Sequence, residues 1–369
     1  MKFFNNIING LLLVAVAAMT PACRNAFFDE DNCDATYRLH LKYTRNMKWA
    51  DAFPAEVTHV GVYAFEEDGK LAWSGSETVE RLSQDGYFFT VPVDPGKYDF
   101  VVWCGGKSLE ESAHAWTLGA GNEISSKSDL HICLDAPQNP DGEGLLANSD
   151  IHRLYHGSLS NVELPSVTGI YDYEVDLTKD TNFIRVVLQH ADGEPVNPDH
   201  FNFTITDTNA ALDHTNLSSS PTAVTYRPWA ITAAETELPD PDNIPDSSTG
   251  STDYKTPSSG GGGGSSRGIT QISSVVADMT TSRLIKGNRP TIKIDCTEPG
   301  NEHNVAKLDL ISYFLMIKGS ANRHVEDQDF LDRQDDYTMM LILDDNNRWS
   351  ISLGLYINSW RIVEQSTTL

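Results

Sequence analysis

Basic residues are scarce in this 369-residue chain: 27 Lys plus Arg stand against 52 Asp plus Glu, for a net charge of −25. That balance excludes a nucleic-acid partner, whose phosphates are bound by clustered Lys and Arg. Beyond the first 22 residues there is no long apolar run, which excludes a polytopic membrane protein. There are only five cysteines and no Cys-x-x-Cys pair, so neither a zinc ribbon nor a thioredoxin-like motif is present. Catalytic signatures are lacking too. The five glycines 260–264 are not followed by Gly-Lys-Ser/Thr, so the run is no P-loop. His152 and His156 have helical metal-ligand spacing without a His-Glu-x-x-His pattern. The acidic stretch 326–336 has neither the loop glycine nor the terminal Glu of an EF-hand. No Gly-x-Ser-x-Gly elbow occurs, and nothing singles out a carboxylate pair. No catalytic residue, cofactor or metal site is expected.

What is present begins with an address. Met1 and Lys2 precede an apolar stretch that stops at Pro21, which describes a secretory signal peptide over 1–22. Thr20-Pro21-Ala22-Cys23 sets a small residue directly before a cysteine, as bacterial lipoprotein signals do. Acylation of Cys23 would anchor the chain stably, at about 0.8 kcal/mol per buried CH₂, because two or more chains hold where one does not. Residues 23–32 then form a lipidated tether outside the cytoplasm. With Cys23 taken by lipid, Cys33, Cys104, Cys133 and Cys296 remain. Of their possible pairings, Cys104 with Cys133 is the first candidate disulfide, both lying in one expected domain.

From Cys33 onward strand patterns dominate. Residues 38–43 (RLHLKY) alternate polar and apolar as a half-buried strand does. Residues 57–65 (VTHVGVYAF) run into Asp68-Gly69, a hairpin signal before 70–73. Segments 87–93 and 97–103 flank Asp94-Pro95-Gly96, which predicts a second hairpin. A short helix is expected around 108–116, and 171–177 (YDYEVDL) closes the first half. The second half repeats the style at 183–188, 201–206, 291–296 and 307–316. There, 337–343 and 349–357 flank the turn 344–347, and 360–363 is a last short strand. Residues 238–268, rich in Pro, Ser, Asp and Gly, cannot bury a core and read as a long loop. The expected organisation is all-β, with two tandem β-sandwich domains at 33–178 and 179–369.

Several segments, taken in order, carry a family resemblance. They are Arg45-Asn46-Met47-Lys48-Trp49-Ala50-Asp51-Ala52-Phe53 with the strand that follows, then 91–98 with Trp103-Cys104, and then His156-Gly157. Thr280-Thr281-Ser282-Arg283-Leu284, the run 330–337 (FLDRQDDY), Trp349 and Ile357-Asn358-Ser359-Trp360 complete the series. Together they resemble the FimB-type fimbrial anchoring subunits, fimbrillin-like outer-membrane lipoproteins of Bacteroidales-type pili. Ser359 stands where the family pattern has Gly, and the glycine-rich loop reads as an insertion.

The resemblance implies transthyretin-like sandwiches and a structural role in the cell outer membrane. The partners would be outer-membrane lipid, through acylated Cys23, and a fimbrial shaft subunit joined by β-strand addition, with a possible part in limiting fimbrial length. In related shaft subunits a protease removes the N-terminal strand. A cut after Arg38 would here sever the body from Cys23, so the strand 38–43 is expected to stay and block further acceptance. The C-terminal segment, with Leu355, Ile357, Trp360 and Ile362, is the candidate donor strand; its other reading is an ordinary edge strand. The alternative function is a surface glycan-binding lipoprotein, for which Trp73, Trp116 and Trp229 are the available platform residues.

Overall fold

A computed structural model describes residues 35–78, 86–119, 123–237, 271–319, 322–352 and 354–362. Cys23, Cys33, the expected signal peptide and tether and the stretch 238–268 expected to be a loop lie outside the described residues. The chain opens with β1 (Thr36–Lys42), whose alternation buries Tyr37, Leu39 and Leu41 and turns His40 and Lys42 outward. A single helical turn, α1 (Phe53–Glu56), leads into β2 (Val57–Glu66) and β3 (Leu71–Thr78). The β2–β3 turn places Gly69 at φ +82°, a left-handed position that glycine adopts without penalty. Next come β4 (Phe89–Val91), β5 (Gly96–Gly106), β6 (Trp116–Leu118), β7 (His131–Leu134), β8 (Leu145–Ala147), β9 (Leu154–Leu164), β10 (Ile170–Asp176) and β11 (Thr178–Lys179).

The second half holds β12 (Thr181–His190), β13 (Phe201–Asp207), β14 (Ala211–Asp213), β15 (Val224–Tyr226), β16 (Ala230–Glu237), β17 (Gln271–Ser282), β18 (Thr291–Cys296) and β19 (His303–Asp309). It closes with α2 (Leu310–Met316), α3 (Asp327–Arg333), β20 (Asp336–Leu343), β21 (Leu355–Ile357) and β22 (Trp360–Arg361).

Two sandwiches result. In the first, the sheet β10-β1-β4 faces β11-β9-β5-β2-β3; in the second, β16-β17-β12-β20-β21-β22 faces β19-β18-β13-β15-β8. The two repeat one topology. β1 pairs parallel with β10 and antiparallel with β4, as β12 does with β20 and β17. The order β9-β5-β2-β3 recurs as β19-β18-β13-β15, antiparallel throughout. The fold is therefore all-β with tandem sandwiches, each closed over its own apolar core.

Several local expectations differ from the structure. Asp94-Pro95-Gly96 does not close a hairpin. β4 pairs with β1 and β5 with β2 and β9, so the turn carries the chain from one sheet to the other. No helix forms at 108–116, where the chain runs through turns into β6. The 307–316 segment is strand only to Asp309, whose side chain caps the helix α2 by accepting from the Ser312 amide at 3.2 Å. Beyond the 344–347 turn, where Asn347 has φ +60°, a single bridge joins Trp349 to Leu343, and the continuous ladder resumes at Leu355.

The cysteine pairing also differs. Cys104 and Cys133 are free thiols, because Cys104 packs inside the first core while Cys133 sits on β7, facing away from its buried neighbours Ile132 and Leu134. Burial pushes both thiols up. Residues 107–151 cross the expected 178/179 boundary. β8 extends the second sandwich's sheet beside β15, β7 pairs with β14, and Leu134, Ala147 and Ile151 belong to the second core.

Candidate assembly interface

Most of the segments that carried the family resemblance converge on the junction between the sandwiches. Arg283 follows β17 and is buried. Its guanidinium grips Asp332 of α3 through two parallel bonds, Nε to Oδ1 at 2.8 Å and Nη2 to Oδ2 at 2.7 Å. Its Nη1 donates to the Asn216 carbonyl. A second carboxylate, Asp180 between β11 and β12, is fully buried, 3.7 Å from Arg283, and accepts from Asn216 Nδ2 at 2.8 Å. Arg283 is already matched by Asp332, so Asp180 is one carboxylate too many. Burial pushes it up to about 8, against the opposing pull of Arg283 and the Asn216 hydrogen bond.

Other contacts tie the first half to this clasp. Arg45 donates to Thr178 Oγ1 at 3.1 Å and to Asp329 at 3.2 Å, and the Arg333 guanidinium lies over the Trp49 ring at 4.4 Å. Lys179 bridges Glu56 at 3.1 Å and Asp335 at 2.7 Å. His156 packs against Trp103 with the rings tilted at 59°, its Nε2 lies 3.1 Å from the His214 carbonyl oxygen, and burial lowers it to about 4. Gly157 beside it is required by space, since a Cβ there would lie 2.6 Å from Val175. An apolar cluster with Phe65, Val101 and Leu130 from one half and Leu212 and Ile285 from the other fills the joint.

The terminal strands are the second feature. β1 lies in the middle of its sheet with Leu39 fully buried, so the first strand is in place. A polar ladder fixes its register on β10: His40 to Asp172 at 2.8 Å, Lys42 to Glu174 at 2.5 Å and Thr44 Oγ1 to Asp176 at 2.9 Å. At the other end, Leu355, Ile357 and Ile362 are buried in the second core, and Trp360 is 68% exposed. The candidate donor residues thus occupy the chain's own sheet, β21 on β20 and β22 on β21. Asn358 and Ser359 make the turn between them, both at positive φ (+47° and +70°).

The three candidate platform tryptophans are not brought together. Trp73 packs on Phe89, Trp116 donates its indole N–H to the His152 carbonyl at 2.8 Å, and Trp229 donates to Thr280 Oγ1 at 3.2 Å. His152 and His156 lie along an extended segment, where four residues span about 13 Å, so the helical pairing geometry does not arise. The residues missed from sequence are Glu56, Lys179, Asp180 and Asn216. The one available signal was the charged pair Lys179-Asp180 between two strand runs, where a solvated linker was the simpler expectation.

Residues 30–366 match the profile of the family described as Mfa2, the fimbrillin-A associated anchor proteins Mfa1 and Mfa2. Among curated proteins none matches. Among solved structures, an adhesin candidate from Bacteroides thetaiotaomicron is 26% identical, covering 88% of this chain and 96% of that one at a TM-score of 0.68. A candidate polysaccharide-binding protein from the same organism is 22% identical, covering 91% and 100% at 0.66. The fimbrial anchor protein Mfa2 from Porphyromonas gingivalis is 17% identical, covering 90% and 100% at 0.59, a likeness of fold.

Proposed function

The chain belongs to the fimbrillin-A associated anchor family, and from that premise we propose that it fixes the base of a fimbrium to the bacterial outer membrane. Membership places it among fimbrial subunits at the cell surface, with other fimbrial subunits as partners. In this reading the lipid on Cys23 holds the outer membrane, the 23–32 tether spans the gap, and the body takes a shaft subunit by β-strand addition. The observation that carries the reading is the seating of β1. Its buried alternate side chains and its ladder to β10 keep the strand nearest the tether in the fold, so a pull on the lipid is borne by a central strand. Occupying that place, β1 also leaves no groove there for a further subunit, which would limit growth.

Strand addition needs a donor and an acceptor. For the C-terminal segment to donate, Leu355, Ile357 and Ile362 would have to leave the second core, at about 1.5–3 kcal/mol per side chain. Accepting a strand at a sheet edge costs this fold nothing comparable, so the acceptor role is favoured.

The test is Cys23→Ala in fimbriated cells fed a clickable palmitate analogue. The unmodified chain should take up label and keep fimbriae on the cells. The variant should lose the label and shed fimbriae with the protein into the medium. An unmodified chain that is unlabelled and freely released would overturn the anchor.

A further inference from the structure

The internal repeat exposes a difference between the two sandwiches. β20 and β10 occupy the same place, each parallel to the first strand of its repeat and next to it in the sheet. On β20 the outer edge is covered: β21 pairs antiparallel, Met339 opposite Ile357 and Leu341 opposite Leu355. On β10, among the described residues, nothing pairs with the outer edge over Ile170–Asp176.

Burial follows the same division. The inward residues Tyr337, Met339 and Leu341 of β20 are fully buried, whereas Tyr171 and Tyr173 of β10 are only half-buried against the first core. At the strand's start Ile170, on the outward face, is 58% exposed, and Val167 before it is 69% exposed. The outward row is Asp172, Glu174 and Asp176, which face Arg38, His40 and Lys42 across the ladder on the β1 side and no strand on the other among the described residues. An open edge of seven residues with half-covered tyrosines is an unfinished sheet.

We propose that the outer edge of β10 accepts an antiparallel strand from a neighbouring fimbrial subunit, completing the first sandwich as β21 completes the second. The chemistry of the incoming strand follows from the two faces of β10. Alternate residues are apolar and cover Tyr171, Tyr173 and Val175, as Leu355 and Ile357 cover β20. The residues between them are Lys, Arg or Thr, opposite the acidic row. The identity of the partner as a fimbrial subunit rests on the anchor reading above; the open edge does not.

A photo-crosslinking residue in place of Ile170, in the full chain on fimbriated cells, tests this, with Trp360 on β22 as the comparison site. The expected product joins residue 170 to the terminal strand of a fimbrial subunit, identified by peptide mass spectrometry, with little product at 360. Tyr171→Lys together with Tyr173→Lys should reduce the product from a Val167 probe about tenfold. A Met340→Cys/Tyr356→Cys disulfide, which pins β21 to β20, should leave product and fimbrial retention unchanged. The proposal is overturned by any of three results: retained fimbriae with product only at 360, a product within this chain or between two copies of it, or loss of retention on pinning β21. A product at 170 with a non-fimbrial protein keeps the edge and removes the anchor reading, whereas shed fimbriae in Cys23→Ala cells test the anchor alone.

Discussion

Arg283, Asp332 and Asp180 set one buried cation against two buried carboxylates, and the surplus determines how the junction responds to pH. Asp180 in the fold is pushed up to about 8 from an ordinary 3.8, so between those values the folded chain holds a proton that the unfolded chain releases. Its contribution to stability is complete below about 4 and is lost as pH rises through about 8. His156, lowered to about 4 from 6.5, acts with the opposite sign, its contribution lost as pH falls through that window. Asp207, raised to about 6, has the sign of Asp180 but a window that closes lower. The interval from about pH 6.5 to 8 therefore isolates Asp180. Over it the chain should lose about 1–2 kcal/mol, and Asp180→Asn, which keeps an acceptor for Asn216, should abolish that slope in urea denaturation. An equal slope in both proteins would contradict a protonated Asp180. Arg283 was legible in the sequence only as part of a matching segment. Its partner Asp332 is 49 residues away and Asp180 more than 100, and no local pattern joins charges that meet only after both sandwiches close.

At the scale of elements, legibility followed periodicity. β1 was readable because its alternation reports one buried face, and β2, β12 and β20 because short β-branched or apolar runs were bounded by turn signals. The Asp94-Pro95-Gly96 turn was read correctly as a turn and wrongly as a hairpin, since turn chemistry fixes a reversal but not which sheet receives the next strand. Residues 310–316 carry a strand-like apolar run that Asp309 caps into a helix, an ambiguity short runs always hold. The last hairpin shows a residue mismatch with a measurable consequence. A two-residue turn with both residues at positive φ favours Asn-Gly, and this chain has Asn358 and Ser359. Asn358 also clasps β20, accepting from the Thr338 amide at 2.7 Å and donating to the Asp336 carbonyl at 3.2 Å, so it is fixed in place. Ser359 at φ +70° bears the strain. Ser359→Gly should stabilise the protein by about 0.5–1 kcal/mol, seen as a raised denaturation midpoint at unchanged m-value. A lowered midpoint would mean the serine makes a contact that outweighs its backbone cost.

For the whole molecule, the repeat makes two sandwiches, but the crossing of residues 107–151 makes them one cooperative body. A boundary at 178/179 is what strand counting suggests, because the run 171–177 ends just before it and the run 183–188 begins just after it, although the two-residue strand β11 (Thr178–Lys179) straddles it. Strand counting could not show that β8 would pair with β15, since the segment is three residues long and its partner lies about eighty residues downstream. The consequence is energetic. Residues 179–369 alone would lose β8 and the buried side chains of Leu134 and Ile151, about 2 kcal/mol for each large apolar group, and would expose the edge of β15. Residues 35–178 alone would leave β7 without β14, Arg45 without Asp329 and Lys179's partner Glu56 without its cation. Cut at 178/179, the two fragments should therefore be insoluble or molten when expressed singly, and should co-purify as a one-to-one complex when expressed together. The intact chain should unfold in a single calorimetric transition. Two fragments that each fold, elute separately and melt independently would show that the junction couples nothing. A load entering at β1 would then stop at the first sandwich, whereas a single cooperative body carries it from β1 through the Arg283 clasp into the second.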